Sequence, residues 1–410
     1  MNAFNAIGFI AVFVQDKLSP FLPRIFEQIR LSIASTKDTL KKKQMTSSDP
    51  FIFNCLTLLT KYVGIETFSY IRSIIDQVLT SGLSYNLVIA LNEIVKQIPE
   101  LKRDVEDGLH KQLSIILIQK SPPNILDFPR PIELPSTPVL VSDPQLTILA
   151  LNTLSKFEFS RYVTESFLKF ITAGYLESKF IEIRLTATRT VVLLLSPFIK
   201  IFNNEPFKHK EKAALELIRE IMNKLMALCV TDKNQEVRLC VLRSLMADDI
   251  YYIHLAQAEI LQLIFVALQD ESFEMRQFVV CSLGKLSEVN PAIIMPVLRR
   301  VLIQILNELN FNGLNRNEER SAKLLSQLIF SAPKFMKPYV PSTLKVLVDK
   351  LNSTAPNQTD VIINVLHALG ELVNVGGLDF IKEQENLTPL LIEFMQDPNS
   401  LEKREVRWRR

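Results

Sequence analysis

Asp232 and Arg238 stand six residues apart, and Asp270 and Arg276 repeat that spacing with the arginines 38 residues apart. A carboxylate and a guanidinium in register can do structural chemistry. The Asp can accept backbone N–H groups at the start of a helix, and it can pair with the Arg of an adjoining unit. Other reactive types are scattered. The four histidines (His110, His209, His254, His367) have no Cys or carboxylate at a metal-ligand spacing, and Cys55, Cys229, Cys240 and Cys281 show no paired spacing. The ten glycines form no phosphate-cradling run, and Leu378-Asp379-Phe380 lacks the glycine of a metal-binding turn. The sequence therefore offers no catalytic residue, no cofactor-binding residue and no metal ligand. Its one ordered constellation is a repeat ladder of Asp232, Arg238, Asp270 and Arg276.

The elements that must hold this ladder are helices. From Asp270 to Leu309 the chain reads helix, turn, helix. Met275, Val279, Leu283 and Leu286 fall on one helical face, and Asn290-Pro291 ends that segment. Ile294, Val297, Leu298, Val301, Leu302, Ile305, Leu306 and Leu309 then form a stripe wide enough to pack on two sides. Neither helix can bury such a face alone, so each needs neighbours of its own kind, as in a solenoid. Comparable second helices begin near Arg320, Val361 and Lys403, a period of about forty that falls in the HEAT and armadillo range. The reading is an all-α HEAT/armadillo-type solenoid, a single array over residues 1–410, with about eight helix pairs and half a pair at each end.

Composition agrees. Apolar residues make up 48% of 410, with few glycines and no break that would separate domains. The net charge of +3 arises from nearly equal numbers of acids and bases, which argues against nucleic acid as a partner. The short basic runs Lys41–Lys43 and Arg407–Arg410 read as solvated. The cysteines lie in apolar helical runs, as buried thiols of a reducing compartment do. Met1 to Val14 is apolar but too short to span a bilayer, so no transmembrane segment is expected. Residues 121–144 carry seven prolines and form a long loop.

Several runs resemble the N-terminal HEAT region of the target-of-rapamycin (TOR) kinases. They include Phe273-Glu274-Met275-Arg276, Asn290-Pro291-Ala292, Met295-Pro296 and Leu302-Ile303-Gln304-Ile305-Leu306. Gln97-Ile98-Pro99, Asp107-Gly108-Leu109, Phe157-Glu158-Phe159, His254-Leu255-Ala256-Gln257-Ala258-Glu259 and Gly370-Glu371-Leu372 agree in the expected order. The resemblance implies a scaffold segment of a non-specific serine/threonine kinase of nutrient and growth signalling. It also implies cytoplasmic placement, or peripheral placement at endomembranes through partners. The implied partners are TOR-complex regulatory subunits and a second kinase copy. The kinase domain lies C-terminal to the matching region, so the chain itself is expected to be no enzyme and to take no small-molecule substrate. Residues 399–410 start a repeat that Arg407-Trp408-Arg409-Arg410 does not continue, as a truncated gene model or an alternative transcript would give. The alternative reading is a karyopherin-like transport or cargo adaptor. Such a groove is expected to line successive second helices with acids and tryptophan, yet Trp408 is the one tryptophan.

Overall fold

The computed structural model describes residues 3–40, 50–119, 139, 141, 143–204, 212–310, 315–354 and 358–377. Lys41–Lys43, prolines 122–138 of the long loop, His209, Leu378–Phe380 and the repeat begun at 399–410 lie outside them. Every regular element among the described residues is helical. By packing, the chain groups into two units, Met1–Phe198 and Ile199–Arg410.

The first unit holds α1 (Ala3–Val14), α2 (Leu22–Leu40), α3 (Pro50–Val63), α4 (Phe68–Leu79), α5 (Tyr85–Gln97), α6 (Lys102–Leu113), α7 (Pro144–Leu154), α8 (Arg161–Gly174) and most of α9 (Ile181–Asn204). Two layers form. Helices α1, α3 and α5 stack in one, and α2, α4 and α6 stack in the other. The sequence dictates this through helical stripes. Ile71, Ile74, Ile75, Val78 and Leu79 share one face of α4, and all are buried. Each such side chain contributes roughly 1.5–3 kcal/mol on burial. Ser84 starts α5 by accepting the Leu87 N–H (3.3 Å), after a turn in which Gly82 adopts φ +96°. Asp143 accepts the Gln145 and Leu146 N–H groups ahead of α7, where Pro144 occupies the first turn. The Tyr175 hydroxyl donates to the Leu117 carbonyl (2.7 Å), fixing the turn after α8 to the π-type turn that ends α6.

The second unit holds α10 (Lys212–Thr231), α11 (Gln235–Leu245), α12 (Tyr252–Leu255), α13 (Ala258–Ala267), α14 (Phe273–Leu286), α15 (Pro291–Asn310), α16 (Asn315–Ser331), α17 (Pro333–Met336), α18 (Val340–Ser353) and α19 (Thr359–Gly376). Helices α11, α14, α16 and α19 stack in sequence. Their partners α10, α13, α15 and α18 lie on the other side, with α10 against α13 and α15 against α18. The α15 seam is narrower than its sequence stripe. Ile294, Leu298, Leu302, Ile305 and Leu309 are buried, whereas Val297, Val301 and Leu306 are half-buried. Gly284 permits a close approach of α14 to α16, because a Cβ there would meet the carbonyl carbon of Ser331 at 2.9 Å.

Among the described residues α2–α3, α4–α5, α6–α7, α8–α9, α10–α11, α13–α14, α15–α16 and α18–α19 follow one another as eight helix pairs, with α1 ahead of them. This is an all-α solenoid of HEAT/armadillo type.

The expectation of no transmembrane segment considered Met1–Val14 alone. By length and composition, two described stretches could cross a membrane, Ala3–Ala34 and Ile181–Asn203. Helical geometry continues past Val14 through a 3₁₀ turn, which lengthens the first stretch. That stretch is nonetheless broken at Gln15, whose φ is +49°. Its α1 part is 12 residues long, about 18 Å against a bilayer core of ~30 Å. In the second stretch Ile183, Ala187, Val191 and Leu195 are fully buried, and Thr190 Oγ1 donates to the Leu151 carbonyl of α7 (3.1 Å).

Cys55, Cys229 and Cys240 are buried and in no disulfide among the described residues, whereas Cys281 is only half-buried, because it faces away from the seam that Val280 and Leu283 fill. Burial pushes the Cys55 and Cys229 thiols up to about 12. Their thiolate fraction at pH 8 is therefore negligible while the helices remain packed. A disulfide-exchange reagent at pH 8 is expected to modify Cys281 first, and Cys55 and Cys229 only after urea unfolding. Mass mapping of the labelled sites checks this, and rapid native labelling of Cys55 or Cys229 would show that the layers open.

Candidate functional site: arginine-clamped turns between repeats

The ladder residues sit where an inner turn joins the two helices of a pair. In the turn between α10 and α11, Asp232 Oδ1 accepts the Asn234 N–H (2.8 Å), and Asn234 Oδ1 accepts those of Glu236 (2.7 Å) and Val237 (3.4 Å). In the turn between α13 and α14, Asp270 Oδ1 accepts the Ser272 N–H (2.8 Å), and Ser272 Oγ accepts that of Met275 (3.4 Å). The Asp was expected to cap the second helix. It instead organises the residue that does, since each helix begins three residues later and its first-turn amides are closer to Asn234 or Ser272.

Arg238 uses its fork on two turns at once. Its Nη1 donates to the Asp232 carbonyl (2.8 Å) in its own turn. Its Nε and Nη2 donate to the two carboxylate oxygens of Asp270 in the next (2.8 and 2.9 Å), and Nη2 also reaches Glu271 (3.1 Å). The side chains of Arg238 and Asp270 are 5% and 8% exposed, so this bidentate pair is desolvated. The Asp270 hydrogen bond is the main influence holding the Arg238 pKa above its ordinary value, against the opposing pull of burial. Arg276 repeats the inner half of the pose. Its Nη1 donates to the carbonyls of Asp270 (2.6 Å) and Glu271 (3.4 Å). The four ladder residues thus form a run of hydrogen bonds through two successive turns.

Three further positions carry related work without the Asp-to-Arg spacing. Arg184 Nη1 donates to the carbonyl of Ser178, six residues earlier (2.8 Å), and Ser178 Oγ accepts the Phe180 N–H (3.4 Å). Ser178 occupies the Asp position, which hides the rung from a search for paired charges. Glu318 of α16 and Lys350 of α18 pair at 2.7 Å with both side chains 5% exposed. Here the acid lies on the second helix and the base on its neighbour, the reverse of Arg238 and Asp270. Asn290, a helix stop in the sequence, also donates from Nδ2 to the Ala256 carbonyl (2.8 Å).

No group of three or more His, Cys, Asp or Glu side chains comes together as a metal site among the described residues. His110 stands edge-on to Phe167 at 5.9 Å, and His254 is buried 6.0 Å from Phe202. The arrangement's chemistry is that of charge pairing and main-chain clamping. A polar cavity of about 340 Å³ opens beside the second rung, where Phe273, Arg276, Gln304, Glu308, Arg320 and Ser321 line it.

The sequence matches no family model. It is 33% identical over 408 residues to the serine/threonine-protein kinase mTor of Drosophila melanogaster, covering 98% of this chain and 16% of that protein. Identity to the serine/threonine-protein kinase tor1 of Schizosaccharomyces pombe is 31% over 416 residues, covering 98% of this chain and 17% of that protein. For the Arabidopsis thaliana serine/threonine-protein kinase TOR the figures are 30% over 416 residues, 99% and 16%. The chain therefore spans about one sixth of the length of these curated relatives. Among solved structures, the Kap95:Nup1 complex aligns with a TM-score of 0.55 at 11% identity, covering 97% of this chain and 52% of that one. A Kap121p mutant aligns at 0.52 and 14%, covering 95% and 42%. At such identities the likeness is one of fold.

The structure contains its own control for the ladder. Arg243 of α11 and Glu274 of α14 pair nearby at 2.7 Å, with side chains 54% and 58% exposed. Asp270→Asn, which removes the charge facing Arg238, is expected to lower the unfolding free energy of this unit by about 3 kcal/mol. Glu274→Gln is expected to cost less than about 1 kcal/mol. Urea unfolding followed by circular dichroism checks both, and equal losses would mean that burial does not strengthen the ladder pair.

Proposed function

The chain belongs to the target-of-rapamycin serine/threonine kinase family, as a homologue of a helical segment about one sixth of the relatives' length, and from that premise we propose that it is a scaffold. In this reading the array presents protein-binding surfaces for complex assembly in nutrient and growth signalling, in the cytoplasm or at endomembranes through its partners. The partners are the regulatory subunits of TOR complexes and a second copy of the kinase. Kinase activity belongs to the part of the relatives that this chain does not span. The whole of residues 1–410 acts as one array.

The observation that carries the proposal is the identity of 33% extending over 98% of the chain. A match of that extent ties the entire array, and not one motif within it, to the family. The turns support the reading, because a desolvated Arg238–Asp270 pair fixes one repeat to the next and keeps exposed side chains in constant relative positions. Transport or cargo adaptation is supported only by likeness of fold to Kap95 and Kap121p, at 11% and 14% identity.

The test mixes the purified chain with purified TOR-complex regulatory subunits and, separately, with nuclear-pore repeat peptides, and reads binding by sedimentation velocity. Binding to a regulatory subunit, with no phosphate transfer from ATP to a generic protein substrate, is expected. Binding to the pore peptides alone would favour the adaptor, and ATP-dependent phosphorylation by the purified chain would overturn the scaffold reading.

A further inference from the structure

Arg238 and Arg276 begin in the same pose and end differently. Both anchor Nη1 on the carbonyl six residues earlier, at 2.8 and 2.6 Å. The Nε and Nη2 edge of Arg238 is then filled by the Asp270 carboxylate of the next turn. For Arg276 the turn position lacks an acid, although Glu308 stands 32 residues after Arg276 as Asp270 stands 32 after Arg238. Six residues before Arg320 stands Leu314, and no Asp or Glu occurs from Asn310 through Asn317. Among the described residues no carboxylate pairs with Arg276, whose hydrogen bonds go to the two turn carbonyls.

A second cation converges on the same place. Arg276 and Arg320 lie over the Phe273 ring at 5.6 and 5.3 Å from its centroid, and all three are half-buried. The shared Phe273 ring holds both guanidiniums beside the cavity of about 340 Å³ framed by α14, α15 and α16. Two half-buried positive charges that no carboxylate pairs with among the described residues favour an anion there. The cavity wall limits which anion. Glu308 also lines the cavity, although its carboxylate accepts from Gln304 Nε2 (2.9 Å) and Ser321 Oγ (2.5 Å). A doubly charged phosphate would meet that carboxylate, whereas a single carboxylate matches the net charge of one that two arginines and one glutamate leave.

We propose that this cavity is a socket for an aspartate or glutamate side chain of a protein partner, which supplies in trans the pairing Asp270 makes with Arg238. The proposal extends the scaffold reading to one contact, and its test needs no TOR subunit, so either can fail alone. The socket takes the carboxylate on the free edge of Arg276, with Arg320 closing from the opposite side. Gln304 and Asn317 offer amides to the flanking peptide backbone.

The probe is a fluorescein-labelled pentapeptide of sequence Ser-Glu-Asp-Glu-Ser, with its amide counterpart Ser-Gln-Asn-Gln-Ser, read by anisotropy against the full chain at low salt. The acidic peptide is expected to bind at least tenfold more tightly than the amide one. Arg320→Gln, which removes the guanidinium over the Phe273 ring, is expected to weaken binding at least fivefold with an unchanged melting temperature. Arg276→Gln with Arg320→Gln is expected to abolish it, with circular dichroism reporting that the helices remain. Equal binding by wild type and the Arg320→Gln variant would overturn the proposal. Displacement by inorganic phosphate at far lower concentration than by acetate would also overturn it, in favour of a phosphate site. Concentration-dependent dimerisation lost in the double variant would overturn it in favour of a second copy of this chain.

Discussion

A helix whose apolar stripe faces neighbours on two sides cannot be satisfied by one partner, and that constraint organises this chain. Met275, Val279 and Leu283 of α14 are buried because both α11 and α16 cover them. Stacking buries the stripes, and it also brings the turns between paired helices close to one another. A buried turn must then satisfy carbonyls and amides that water would otherwise reach. The ladder follows from that second demand. Arg238 can reach the Asp232 carbonyl and the Asp270 carboxylate at once because stacking places the two turns within one side-chain length.

Energetically the ladder differs from ordinary surface charge pairing. Arg219–Glu259, Arg243–Glu274 and Lys334–Glu288 are well formed, yet all six side chains are more than half exposed and water competes for them. Arg238–Asp270 and Glu318–Lys350 have lost that water. Removing one partner of such a pair leaves a charge with nothing to replace its hydration, whereas replacing both by apolar groups would be tolerated. A slipped neighbour would leave these charges buried without their partners. Apolar stripes alone would permit helices to slide by a turn without exposing much more surface.

Much of this was legible in the sequence because it is local and periodic. The helix pairs follow from three-and-four spacing, and the Asp232, Arg238, Asp270, Arg276 register is visible because both charges repeat. What escaped is non-local or chemically substituted. Arg184 performs the clamp of Arg238, but Ser178 stands where Asp would mark it. Glu318 and Lys350 keep the 32-residue separation of Arg238 and Asp270 but with the charges in reversed order, so a pattern of Arg followed by acid passes over them. The capping role went to Asn234 and Ser272 because a shift of two residues at a helix start lies within the uncertainty of any pattern reading. Cys281 shares an apolar run with Val280 and Leu283 but not their face, and composition cannot tell those apart.

The likeness to Kap95 and Kap121p shows how little of a solenoid's fold depends on particular side chains. At 11% and 14% identity the helices can still be superposed, since any residue set with the right apolar period will stack. Functional distinctions must then reside in departures from the repeat. In a regular array each rung satisfies the next, and a satisfied rung offers partners nothing beyond exposed side chains. A rung that lacks its counter-charge is different, because among the described residues no carboxylate pairs with its half-buried guanidinium. Arg276, anchored like Arg238 but followed by Leu314 in the place of an acid, is such a departure, and Arg320 deepens it by bringing a second charge to the same aromatic ring.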